Sequence, residues 1–272
     1  MHSISLTLIN KRHIMKNYDI IYSIGRDCAC SEYLKKNGLR ICSGPFDWLT
    51  NAGFEERFTL LLNNFENFLN PEDFILLEKD ISIENDNSCD YYKNVRTDFY
   101  FYHDFPTEVP FKDSFPDIAK KYRRRIQRFY DNVKNKKIVL LVWFSHYHNT
   151  SDEAVIRLCD SFCQKMERSI DFLIIEHSPN KKNHQIEIKN ITNNIMRCSL
   201  YTITLDASGN ITTLGNENSC HKIFSEYKLI IPLPTQLKKI ILKLLKKIIC
   251  FFIPIKGWRK KIRKSMSKKM NV

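Results

Sequence analysis

The sequence predicts an α/β fold: a mostly parallel sheet covered by helices, with a C-terminal basic amphipathic helix appended. Three observations predict it. Short apolar, β-branched runs at residues 18–24, 137–144, 171–176 and 196–205 alternate with helical stretches, the pattern of parallel strands buried on both faces. The chain has 272 residues, 43% hydrophobic and 12% aromatic, enough for one sizeable core. The excess charge is confined to the end: residues 236–272 hold 13 Lys and Arg and no acid, leaving 30 basic against 30 acidic residues before them.

Residues 1–17 read as an N-terminal extension. They lack the continuous apolar stretch and small-residue cleavage site of a signal peptide, and Met15 is an expected alternative start. The folded body is expected over residues 18–230. A strand at 18–24 ends at Gly25, a tight loop Gly25-Arg26-Asp27-Cys28 follows, and a helix at 29–37 stops at Gly38. The turn-rich word CSGPFDW at 42–48 precedes a helix at 54–65. Acidic, Asn-rich residues 78–90 predict an irregular surface excursion. An aromatic strand at 98–102 runs into His103 and Asp104, and a helix spans 117–132. The second half reads strand 137–144, helix 152–169, strand 171–176 and strand 196–205, closing on the turn DASGN.

A net charge of +13 spread over the fold would point to nucleic acid; a neutral body with a basic tail does not, and no nucleic acid partner is expected. Nine cysteines without a C-x-x-C pair predict reduced thiols and a cytoplasmic setting. Nucleotide-binding glycine loops, G-x-S-x-G and H-E-x-x-H are absent, so no cofactor is expected. No apolar run reaches the length of a spanning helix.

Cys28 falls where a helix begins directly after a strand, a place where backbone N–H groups and the helix dipole favour a thiolate. Such a nucleophile needs a base, and His103 is a candidate. Neighbours on a strand point to opposite faces, so Asp104 orients His103 only if the strand has ended; Asp47 is the other candidate for a third member. His146 and His148 form H-x-H at a strand end, a two-ligand signal that Asp104 or Glu176 would have to complete. Strand-end polar residues are more often without function. Cys159 and Cys163, four apart on a helix, read as core packing, and Arg123, Arg124 and Arg125 as a solvated helix face.

The words YSIGRDCACSEYL, CSGPFDW and FYHDF, in that order, resemble the DUF1796 family, described as papain-like cysteine peptidases, whose members show S-L-G-x-x-C, then P-F-D-W, then a strand ending H-D-F. The resemblance covers residues 18–205. It implies Cys28 as nucleophile, His103 as base and a place for Asp47 in the P-F-D-W word. Ile24 stands where Leu is usual, and Arg26-Asp27 where small or amide residues are commoner. A papain-like fold sets its cysteine helix against a separate β-barrel, whereas the pattern here is βαβ.

In the tail, apolar residues at 237, 240, 241, 244, 245, 248, 249 and 252 form one helix face and lysines much of the other. Anionic membrane lipids contacting residues 237–269 are the expected partner, which would place the protein peripherally on the inner face of the membrane. Such tails are similar to those of bacterial surface-polysaccharide enzymes. The expected activity is a cysteine-dependent hydrolase acting on a peptide or lipid-linked glycan; a glycosyl- or acyltransferase of a polysaccharide pathway and a non-catalytic membrane adaptor are the alternatives.

Overall fold

The computed structural model describes residues 16–83, 87–147, 150–182 and 184–230, together with Leu244. His148, most of the N-terminal extension and, Leu244 apart, the basic tail lie outside the described residues. The elements in chain order are β1 (Lys16–Tyr18), β2 (Ile20–Ser23), α1 (Cys28–Lys36), β3 (Leu49–Asn51), α2 (Phe54–Leu62), β4 (Phe74–Ile83), β5 (Asn87–Asn94), β6 (Phe99–Pro106), α3 (Phe111–Asn135), β7 (Val139–Ser145), α4 (Asp152–Met166), β8 (Asp171–His177), β9 (Ile186–Asn190), β10 (Ile195–Leu200), α5 (Glu217–Phe224) and β11 (Tyr227–Leu229).

The predicted sheet is present, in the order β2-β7-β8-β10-β9, with its first four strands parallel and β9 antiparallel at the edge. β7 is buried along its whole length. Its alternate side chains feed two cores. Leu140, Val142 and Phe144 pack with Ala29, Tyr33 and Phe224 of α1 and α5, while Leu141 and Trp143 pack with Phe58, Phe129 and Phe162 of α2, α3 and α4. Helices on both faces explain why these strands read as continuous apolar runs.

A second sheet, antiparallel in the order β3-β6-β5-β4, was not foreseen. One of its faces, with Phe74, Tyr92, Phe101 and Phe105, stacks on Phe111, Phe115 and Tyr122 of α3. Within residues 78–90, expected as an irregular excursion, Ile81, Ser82 and Ile83 instead pair with Cys89, Ser88 and Asn87 in the β4–β5 ladder. Ile75, Leu76 and Leu77 are exposed on β4, so burial imposes no clean alternation that a sequence could display. Cys89, expected in an exposed loop, is buried on β5.

Smaller departures have local causes. The strand at 196–205 ends at Leu200, and α4 stops at Met166 because Glu167 turns left-handed (φ 54°). α3 starts earlier than expected and carries Pro116 in its second turn. Lys16 and Asn17 belong to the fold rather than to an extension, since β1 pairs in parallel with β11. The short β9, α5 and β11 had no periodic signal long enough to mark them.

Candidate active site

α1 begins at Cys28 because Asp27, in an extended conformation (φ −142°, ψ −170°), turns its carboxylate to accept the Ala29 N–H at 2.9 Å. The loop before it is pressed between helix and sheet. A Cβ on Gly25 would sit 2.5 Å from Cys30 Cβ and 3.1 Å from the Phe144 backbone nitrogen, so only glycine fits. Cys28 is thereby held at the carboxyl end of β2, the edge of a parallel sheet where ligands usually bind.

His103 comes from the other sheet. On β6, Phe105 pairs with Asp90 and Phe101 with Tyr92, so Tyr102, His103 and Asp104 together face Tyr91 alone. This bulge re-aims consecutive side chains. His103 Nε2 lies 3.6 Å from Cys28 Sγ, within reach for a sulfur hydrogen bond. Asp104 is buried instead against α3, where it accepts from Tyr122 Oη at 2.6 Å and pairs with Lys121. Its place is in the scaffold of the bulge.

Asp47 is fully buried. It accepts the Gly44 N–H at 3.1 Å and faces Arg40 Nη1 at 3.3 Å, which closes the turn of the P-F-D-W word. The turn delivers Trp48, whose ring meets His103 edge-on at 5.7 Å, while the Arg40 guanidinium lies 5.5 Å above the Trp48 ring. Tyr102 flanks the imidazole at 4.8 Å. The structure thus brings Cys28 and His103 together, and links Asp47 to His103 through the placement of Trp48.

The electrostatics run against the expectation of a stabilised thiolate. Burial, and after it the neighbouring Asp27 carboxylate, push the Cys28 thiol up to about 12; its own backbone N–H and Arg57 act in the opposite direction. The helix N-terminus is overcome first by burial of the sulfur, with the capping Asp27 adding to the opposition. Burial also raises Asp27, against the pull of His146, the Ala29 N–H, Arg57 and Arg26. Burial brings Asp47 to about 6, although Arg40 and the Gly44 N–H favour its charge.

Arg57 is the residue that sequence reasoning missed. On α2 and fully buried, it donates from Nε to the Ala52 carbonyl (2.9 Å) and from Nη2 to the carbonyls of Leu49 (3.1 Å) and Arg26 (2.5 Å). Its guanidinium lies 5.3, 4.9 and 5.9 Å from the rings of Phe46, Phe99 and Trp143. A signal existed: Arg57 falls three residues after Phe54 and four before Leu61, on the apolar stripe of its helix.

The remaining candidates are occupied elsewhere. His146 is buried, with Nδ1 at 2.9 Å from Thr202 Oγ1 and Nε2 donating to the Thr213 carbonyl at 2.9 Å. Glu176 accepts from Trp143 Nε1 and the Thr150 N–H. Among the described residues no group of three or more His, Cys, Asp or Glu is placed to hold a metal. The eight described cysteines are free thiols, with Cys159 in the core and Cys163 half-buried. Arg123 and Arg124 are exposed as expected, while Arg125 lies over the Tyr122 ring. A cleft of about 520 Å³ beside Asn64, Leu69 and Arg123 includes neither Cys28 nor His103 in its lining.

Comparison with known proteins adds two findings. Residues 19–178, which contain Cys28, Asp47, Arg57 and His103, match the family described as "Putative papain-like cysteine peptidase (DUF1796)". Over 183 residues the chain is 27% identical to an uncharacterized protein of Acanthamoeba polyphaga mimivirus, a stretch covering 62% of this chain and 82% of that protein. No solved structure matches the chain.

Proposed function

Because the chain belongs to the DUF1796 family, we propose that it is a cysteine-dependent hydrolase in which Cys28 is the nucleophile and His103 its base. The observation that carries this reading is the 3.6 Å approach of Cys28 Sγ to His103 Nε2 between residues 75 apart in sequence, one opening α1 behind the parallel sheet and the other on β6 of the antiparallel sheet. A half-buried thiol pushed up to about 12 is neutral at physiological pH, so proton transfer accompanies attack rather than preceding it. The sulfur adds to a substrate carbonyl as His103 takes its proton. The tetrahedral oxyanion, near the N-terminus of α1, collapses to a thioester while His103 protonates the leaving group. Water, deprotonated by His103, then releases the acid and the free thiol.

Asp47 serves as a positioning residue, holding the turn that sets Trp48 against His103. An acyltransferase would use the same thioester and differ only in the second acceptor, so peptide and lipid-linked acyl substrates both suit the chemistry. The segregated charge of residues 236–272 supports attachment of that tail to anionic lipid. Among the described residues no helix is long and apolar enough to cross a membrane.

The test is site-resolved alkylation by iodoacetamide across pH in the folded chain. Cys28 is expected to react faster than Cys163, the other half-buried described thiol, and His103→Ala to slow Cys28 while leaving Cys163 unchanged. Equal rates at the two cysteines, or no response to His103→Ala, would sink the proposal.

A further inference from the structure

We infer that Arg57 is a positioning residue for charge: its buried guanidinium stabilises negative charge on Cys28 against the opposing Asp27 carboxylate, a role that rests on the reading of Cys28 as nucleophile. The first observation is the manner of its burial. A fully buried cation is normally matched by a carboxylate, yet among the described residues none lies within ion-pair distance of Arg57. Its acceptors are three backbone carbonyls, and Nη1 is buried without a hydrogen-bond partner. Neutral carbonyls satisfy the guanidinium without cancelling its charge, so it acts on the anionic groups nearby, Asp27 first and Cys28 among them.

The second observation is where that charge sits. One carbonyl it grips belongs to Arg26, two residues before Cys28, and the groups that act on it electrostatically are Asp27, Cys30, Arg26 and Cys28. The charged and titratable groups around Cys28 are Asp27 and Arg26 from its own loop, Arg57 from α2, His103 and Asp104 from β6 and Tyr91 from β5, with His146 acting on Asp27. Asp27 and Asp104 oppose a thiolate; Arg57, which grips the Arg26 carbonyl of the same loop, favours it. Arg57 also ties that loop to the Leu49 and Ala52 carbonyls beside β3, so the link that joins the two sheets carries the charge that the sulfur needs.

The experiment measures the rate of Cys28 alkylation by iodoacetamide at pH 8 in the full chain, together with thermal midpoints, for Arg57→Met, Arg57→Lys and Asp27→Asn. Asparagine keeps the helix cap and removes the charge. Arg57→Met is expected to slow Cys28 about tenfold, the equivalent of one pKa unit. Arg57→Lys should stay within about threefold of the unmodified chain by the same scale, and Asp27→Asn should react faster. A purely structural Arg57 gives a different pattern: a lower midpoint in Arg57→Met with an unchanged or faster rate, because a loosened loop exposes the sulfur. That result overturns the inference. If Arg57→Met does not fold, Arg57→Gln, which keeps two donors for the carbonyls without the charge, decides on the same criterion. Failure of the dyad reading is seen separately, as a Cys28 rate indifferent to His103→Ala.

Discussion

Asp47 carries a pH signature that belongs to one residue. Its carboxyl is moved by burial from an ordinary 3.8 to about 6, so the fold binds its proton more tightly than the unfolded chain does. Stability from this group is therefore fully present below pH 3.8 and is lost as pH rises through about 6. Asp47→Asn keeps an acceptor for the Gly44 N–H and cannot ionise. Relative to that variant, the wild-type protein should be most stable near pH 4 and lose ground up to pH 7; urea midpoints measured in parallel would show it, and parallel curves would refute it. Gly25 makes a second residue-scale prediction. Gly25→Ala should cost about 1–3 kcal/mol by overpacking, since the new methyl would fall 2.5 Å from Cys30 Cβ. Thermal denaturation checks this.

At the scale of elements, β6 decides the site. A regular strand would turn His103 and Asp104 to opposite faces but would not leave both Asp104 and Phe105 buried, as they are here. The bulge does so, and α3 holds it through the Tyr122 hydroxyl on Asp104. Tyr122→Phe should cost about 1–3 kcal/mol, because a buried carboxylate loses a partner. A urea midpoint within error of the wild type would mean the bulge needs no such anchor. The strand itself was visible as alternating Phe and Tyr at 99–102, whereas the bulge was not, because it follows from the register against β5.

For the whole molecule, the candidate site lies where a parallel sheet meets an antiparallel one, with α2 and Arg57 between them. The tail proposal belongs to this scale too. Truncation after Thr235 should abolish binding to anionic vesicles while leaving circular dichroism nearly unchanged, and rising salt should weaken binding by the full chain. Undiminished binding by the truncated chain would end the proposal.

What the sequence by itself determined is what local chemistry controls. Apolar runs marked the parallel strands. Gly25 and Gly38 delimited a tight loop and a helix expected at 29–37, within a residue of α1 at each end. His103 could be picked out as a candidate base, and the tail's charge could be counted. The tertiary structure alone decided that His103 reaches Cys28; that Asp104 parts from His103 was already expected from the alternation of strand side chains. It also decided that Arg57 is buried. It reversed the expected direction of the Cys28 thiol, since the helix N-terminus is a local term readable from sequence, whereas desolvation depends on every chain segment packed around the sulfur. Burial and register are properties of contacts between distant residues, and no single stretch of sequence contains them.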